Sequence, residues 1–159
     1  MVTLRIGQGF DVHPFSDDPS RRLVLGGVVV EGGRGLAGHS DADVLTHALS
    51  DALLGAAALG DLGQHFPDTD PRYAGADSTL LLAEVVALVA GAGCKVVNAD
   101  CTVVAERPRL AAVVPAMAER LSSILDAPVS VKATRGEGLG AIGRAEGVAC
   151  LAVVLVERE

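Results

Sequence analysis

The run VACLAVVLV at positions 148–156 constrains the fold of this chain most. Side chains of a β-strand alternate between two faces, so an unbroken apolar run requires burial on both. It is far too short for a membrane span, which needs about 20 apolar residues. Four other strand-like runs accompany it: VTLRIG, RLVLGGVVV with a glycine break, KVVNADCTVVAE and VSVKATR. Three helical patterns lie between them. The first opens at a Ser40–Asp43 capping box and runs to about Ala58, stopping near Gly60. The second is capped by Asp77 or Ser78 and ends at GAGC, and the third has Pro108 in its first turn and reaches Leu125. GQHFPDTDPRYAGADS reads as a loop, and the glycine-rich GEGLGAIGRAEG joins the last two strands. This alternation predicts one α/β (α+β) domain over residues 1–159, a mixed β-sheet with helices on one face. Three helices cannot cover both faces of a sheet of five or more strands. The second face is therefore expected to pack against sister subunits, the alternative being a last strand sandwiched locally within its own chain.

With 50% hydrophobic and only 3% aromatic residues, the core must be built from Val, Leu and Ala. The net charge of −7 argues against nucleic-acid or anionic-membrane binding through bulk charge. An anionic substrate remains compatible with it, because a bound metal inverts the local sign. Cys94, Cys101 and Cys150 are odd in number, scattered and set in apolar runs, which predicts reduced buried thiols rather than disulfides. No signal-peptide pattern occupies MVTLRIGQGF and no apolar run reaches spanning length, so a cytoplasmic protein without membrane association is expected.

All four histidines stand near aspartates. Asp11 and His13 in GFDVHPF are two apart, so an extended backbone turns both side chains to one face. In the first helix Asp43, His47 and Asp51 follow at four-residue intervals and form a polar stripe on a Leu/Ala background. A neighbouring aspartate there would fix the tautomer of His47. One aspartate and two histidines suit a three-ligand zinc site with an open fourth position, and also iron or manganese. The plainer reading is a solvated helix face and a common D-x-H pair, and spacing alone leaves both open. His39, just before the helix, is either a loop residue or a contact to an anion. GLGAIG at 138–143 fits G-x-G-x-x-G but leads into a strand and lacks a downstream acidic partner, which excludes a dinucleotide fold. DTD in FPDTDP is equally a plain turn, and GHSDAD lacks the later ligands of a calcium loop.

Taken in order, GFDVHPF, GHSDADVLTHALSDALLGAAALGDLGQHFPDTDP, GADS, NADCTVVAERPRL and VKATRGEGLGAIGRAEGVAC resemble the motifs of the 2-C-methyl-D-erythritol 2,4-cyclodiphosphate synthases. These enzymes serve the non-mevalonate route to isoprenoids, and the similarity covers nearly the whole chain. The resemblance implies a lyase acting on 4-diphosphocytidyl-2-C-methyl-D-erythritol 2-phosphate, whose 2-phosphate attacks the β-phosphorus and expels CMP. It implies Asp11, His13 and His47 as zinc ligands, with Asp11 and His13 also against the substrate. His39 and Ser40 would hold the methylerythritol phosphate, His39 as a transition-state stabiliser. Asp61, Leu62 and Gly63 fall at the ribose. Phe66, Pro67, Asp68, Thr69 and Asp70 form the segment over the methylerythritol, Asp68 accepting its hydroxyls. The loop Ala105 to Ala111, with Arg109 and Leu110, would read cytosine through its backbone. With Thr134 and Glu137 it would come from a neighbouring subunit of a homotrimer, and Glu137 would help hold Mg²⁺ or Mn²⁺ between the phosphates. His65 has no assigned role.

Departures from the family pattern cluster near the end. Arg135 and Gly136 follow KAT where relatives carry further threonine, so a guanidinium is expected to take the catalytic contact to phosphate. Arg144, counted with the substrate-binding positions, and Glu146 match a pair beside a central cavity where some relatives bind isoprenoid diphosphates. Ala141 there replaces a phenylalanine, and Ala145 a glycine. Two other functions share this metal set: a phosphohydrolase using water, and a trimer that binds nucleotide without catalysis.

Overall fold

The apolar run at 148–156 lies in the interior of a sheet. The computed structural model describes residues 1–158. Strand β6 (Gly147–Arg158) sits between β1 (Thr3–Pro14) and β4 (Cys94–Val104), antiparallel to both. Strand β5 (Val129–Thr134) adds to β4 in parallel, giving the order β1-β6-β4-β5. The mixed sheet is as expected, although among the described residues it has four strands rather than five or more. RLVLGGVVV is not one strand. It is a hairpin of β2 (Arg22–Leu25) and β3 (Val28–Arg34) standing as a separate two-stranded sheet. Gly26 and Gly27 occupy the turn at φ +58° and +70°, the left-handed pair that a tight hairpin turn demands.

Helices α1 (Val44–Ala57), α3 (Ser78–Gly91) and α4 (Val114–Leu125) carry the core side chains. Between α1 and α3, the expected loop contains a single turn α2 (Leu62–His65) and a 3-10 turn at Pro71–Tyr73. Each is begun by an aspartate: Asp61 accepts from the Gln64 amide at 2.9 Å and Asp70 from the Arg72 amide at 2.9 Å. Helix α1 is capped by Asp43, not Ser40: its carboxylate accepts from the Thr46 amide at 3.0 Å. Helix α4 starts six residues later than Pro108, because Pro115 rather than Pro108 occupies its first turn. GLGAIG closes only the short turn α5 (Gly140–Gly143) before β6 begins. Ala145 holds φ +57°, a left-handed conformation that explains why glycine suits this place.

The two faces of the sheet differ. Gly7, Gly9, Cys150, Ala152 and Val154 face α1 and are buried, within a core dominated by Leu, Val and Ala. On the opposite face Leu4, Ile6 and Phe10 are 63%, 73% and 55% exposed, beside Leu151 and Val153. Within one chain, then, the apolar run of β6 is covered on one side only.

Cys94, Cys101 and Cys150 are free and buried. Burial pushes the Cys101 thiol up to about 12 and raises that of Cys150 as well, so neither is a thiolate near neutrality. A chromogenic disulfide reagent at pH 8 is therefore expected to find no reactive thiol in the native protein and three after denaturation. Rapid labelling of the native protein would contradict this packing.

Candidate metal and substrate site

The site begins with two glycines. An added Cβ on Gly7 would lie 1.9 Å from the Ala52 carbonyl oxygen, and one on Gly9 1.8 Å from that of Ala48. Helix α1 thus rests directly on the backbone of β1, closer than any side chain permits. Two and four residues beyond Gly9 on the same face come Asp11 and His13, while His47 immediately precedes the Ala48 contact. Close packing of strand and helix therefore delivers all three side chains to one place.

Asp11 Oδ2 lies 3.0 Å from His13 Nε2 and 3.1 Å from His47 Nδ1. One ligand atom from each residue falls within 4.8 Å of the others, with all three half-buried. The imidazoles meet edge to face, centroids 5.5 Å apart. Burial alone would raise the Asp11 carboxyl, but hydrogen bonds and charge from His13 and His47 outweigh it and hold the group far below the usual carboxylate range. The Asp11 hydrogen bond raises His13, against its burial. His13 Nδ1 donates to the Ala37 carbonyl at 2.8 Å, leaving Nε2 as the nitrogen that faces Asp11. Oxygen and nitrogen donors converging on one point, each histidine with its other nitrogen engaged, are what a divalent transition metal requires.

The aspartates expected beside His47 are employed elsewhere. Asp43 is fully buried and accepts from the Gly26 and Gly27 amides at 2.9 and 2.7 Å, as well as from Thr46. Asp51 accepts from the Leu62 amide at 2.7 Å, tying α2 to α1. His47 Nε2 instead meets Ser78 Oγ at 2.8 Å and Ser40 Oγ at 3.1 Å. Ser40 is buried, its hydroxyl directed to His47 rather than outward, while His39 before it is exposed. Spacing in the sequence gave no sign of Ser78; its only legible feature was the position at a helix start.

The remaining predicted residues form two further groups. Ala105, Arg109, Leu110, Thr134 and Arg135 line a cavity of about 520 Å³ between the Glu106–Ala112 loop and β5. Arg109 and Arg135 also line an adjoining cavity of about 590 Å³ with Arg34 and Arg107. Glu106 Oε2 there is buried without a hydrogen-bond partner among the described residues. Arg135 is exposed, 3.7 Å from Glu137, and Arg144 pairs with Glu146 at 2.6 Å. The other group is the 61–70 segment. Asp61 is exposed at the start of α2, with Leu62 and Gly63 within it. Phe66 packs edge-on against Tyr73 with centroids 5.3 Å apart, beside half-buried Pro67. Asp70 grips Arg72 through both oxygens, and Asp68 and Thr69 point into solvent. His65 Nε2 donates to the Leu59 carbonyl at 2.8 Å, a local tie.

Asp11 and His13 of β1 and the cavity at β5 lie on opposite edges of the sheet. Three strand spacings of about 4.8 Å separate them by about 14 Å. Within one chain they do not form a single pocket.

The sequence model of the YgbB family matches residues 4–157. The 2-C-methyl-D-erythritol 2,4-cyclodiphosphate synthase of Moorella thermoacetica is 58% identical over 156 residues, covering 96% of this chain and 94% of its own. The bifunctional IspDF of Campylobacter jejuni superposes with a TM-score of 0.94 at 41% identity, over 100% of this chain and 43% of that longer one. IspF of Plasmodium falciparum, solved as a CDP complex, gives a TM-score of 0.84 at 29% identity, covering 98% and 97%.

Proposed function

The chain belongs to the YgbB family, and from that premise we propose that it converts 4-diphosphocytidyl-2-C-methyl-D-erythritol 2-phosphate into 2-C-methyl-D-erythritol 2,4-cyclodiphosphate and CMP. The convergence of Asp11, His13 and His47 within 4.8 Å carries this reading. An oxygen of the 2-phosphate bonds to the β-phosphorus as the bond from that phosphorus to the bridging oxygen breaks, and CMP departs with the electron pair. Two anionic groups must be brought together in line, so catalysis is chiefly positioning and charge neutralisation.

Asp11, His13 and His47 would hold Zn²⁺, which would supply Lewis-acid neutralisation of phosphate charge. Exposed His39, which precedes the His47 partner Ser40, stabilises the transferring group. Asp68, free in solvent, accepts from the methylerythritol hydroxyls, and Asp61 with Leu62 and Gly63 receives the ribose. The cavity at Ala105, Arg109, Leu110 and Thr134 takes the cytosine, consistent with the CDP bound to the Plasmodium relative. Glu137 would help hold Mg²⁺ or Mn²⁺, which would neutralise charge on the diphosphate. The separation of metal cluster and cavity, together with exposed Leu4, Ile6 and Phe10, supports a homotrimer in which one subunit's cavity faces its neighbour's metal ligands. Among the described residues no helix is long and apolar enough to cross a membrane, and three unpaired buried thiols fit the reducing cytoplasm. The reaction is that of a phosphorus–oxygen lyase.

Chromatography of the nucleotide products tests the reading. CMP is expected from the 2-phosphorylated substrate and not from the same compound lacking the 2-phosphate. Equal release from both would mean that water is the nucleophile and would overturn the assignment. Arg135, exposed at the rim of both cavities, contributes a phosphate contact in this account. Arg135→Ala is expected to lower kcat/KM by about tenfold, the worth of one charge-assisted hydrogen bond. Arg135→Thr raising turnover by about tenfold or more would show instead that the guanidinium obstructs.

A further inference from the structure

His47 reaches the metal site through Nδ1, and its other nitrogen is held by residues outside the ligand set. Ser78, the first residue of α3, is fully buried. Its hydroxyl lies 2.8 Å from His47 Nε2 on one side and within a short hydrogen bond of Asp41 Oδ1 on the other. The Ser78 amide also donates to Asp41 Oδ2 at 3.1 Å, so the carboxylate takes both the backbone and the side-chain proton of one residue. Asp41 is fixed in turn, its amide donating to the Ala76 carbonyl at 3.0 Å and its Oδ1 accepting from the Asp43 amide at 3.2 Å.

Proton accounting sets the direction of this chain. An ionised carboxylate only accepts, so the single hydroxyl proton of Ser78 goes to Asp41. Ser78 Oγ must then accept, and the hydrogen between it and His47 belongs to Nε2. Ser40 Oγ, 3.1 Å from the same nitrogen and accepting from the Ala42 amide at 3.2 Å, acts in the same sense. His47 Nε2 thereby carries a proton, and Nδ1, which faces Asp11 Oδ2 at 3.1 Å, is the nitrogen left to meet a metal. His13 obtains the same service from a backbone carbonyl, whereas His47 depends on side chains 31 residues away in sequence.

We infer that Ser78 and Asp41 are positioning residues for the metal site, a carboxylate–hydroxyl relay that holds the Nε2 proton and the ring orientation of His47 and so turns Nδ1 to the metal. The inference rests on the reading of Asp11, His13 and His47 as metal ligands. It also gives the start of α3 and the loop bearing His39 a shared anchor at the metal, since Asp41 lies two residues after His39.

Two measurements on the full-length protein test it. Zinc affinity, read by competition with a chromophoric chelator, is expected to fall by about 10–100-fold in Ser78→Ala and by less in Asp41→Asn, which keeps the shape but frees the serine proton. In the metal-free protein, the Nε2-bound proton of His47 is expected to give a ¹H–¹⁵N signal slow to exchange with water, and one that exchanges faster in either variant. A purely structural role would leave that Nε2–H signal as it is in the unaltered protein, and unaltered thermal unfolding of metal-free Asp41→Asn would separate positioning from folding. Wild-type zinc affinity together with an unchanged Nε2–H signal in both variants would overturn the inference. Failure of the unaltered protein to bind zinc would instead remove the metal reading, and the Nε2–H signal of the metal-free protein would still decide whether the relay holds the His47 ring.

Discussion

A His13→Ala variant is expected to lose its bound zinc and at least about 10³-fold in CMP release, with its fold intact. Removing one of three ligands leaves Asp11 facing His47 alone, too few donors for a tetrahedral ion with an open position. Three decades correspond to about 4 kcal/mol of transition-state stabilisation, within the several kcal/mol attributed to Lewis-acid neutralisation of phosphate charge. Stability should change little, because the ring is only half-buried and its contacts besides Asp11 and His47 are the Ala37 carbonyl and Gly38. Metal analysis, a melting curve and a product assay on one preparation check all three statements. Retained zinc with normal turnover would place the ion elsewhere.

Gly9→Ala should damage the protein more broadly. The new Cβ would sit 1.8 Å from the Ala48 carbonyl oxygen and 2.8 Å from the Ala52 amide nitrogen. Both are backbone atoms of α1, so no rotamer change relieves the clash, and the helix must move off the sheet. Overpacking of this kind costs about 3 kcal/mol or more, which for a chain of this size lowers Tm by roughly 6–12 °C. His47 rides on the displaced segment, so zinc affinity should fall with stability. Gly91→Ala is the control: nothing lies within 4 Å of its Cβ at the end of α3, and the change should be neutral or slightly stabilising. Equal melting temperatures for Gly9→Ala and the unaltered protein would refute the close strand–helix contact.

The sequence announces the features that depend on local pattern. Asp11 and His13 are legible because period-two spacing survives in the extended β1, and His47 because α1 follows its cap. The hairpin of β2 and β3 was hidden because Gly26–Gly27 reads equally as a break within one strand and as a two-residue turn. Pro108 and Pro115 both suit a helix start, and only the packing of Met117 and Leu121 into the core selects the later one. The partners of His47 were the real omission. Helical spacing favoured Asp43 and Asp51, but Asp43 satisfies the amides of the hairpin turn and Asp51 an amide of α2. Ser78 reaches His47 only through the tertiary packing of α3 on α1, which no spacing rule records.

Cyclisation is the central claim, and ³¹P NMR of the purified protein with 4-diphosphocytidyl-2-C-methyl-D-erythritol 2-phosphate, Zn²⁺ and Mg²⁺ tests it most directly. The account predicts the coupled pair of signals of a cyclic diphosphate growing in step with CMP. Linear phosphate products, or a spectrum that does not change while the protein holds its zinc, would contradict it.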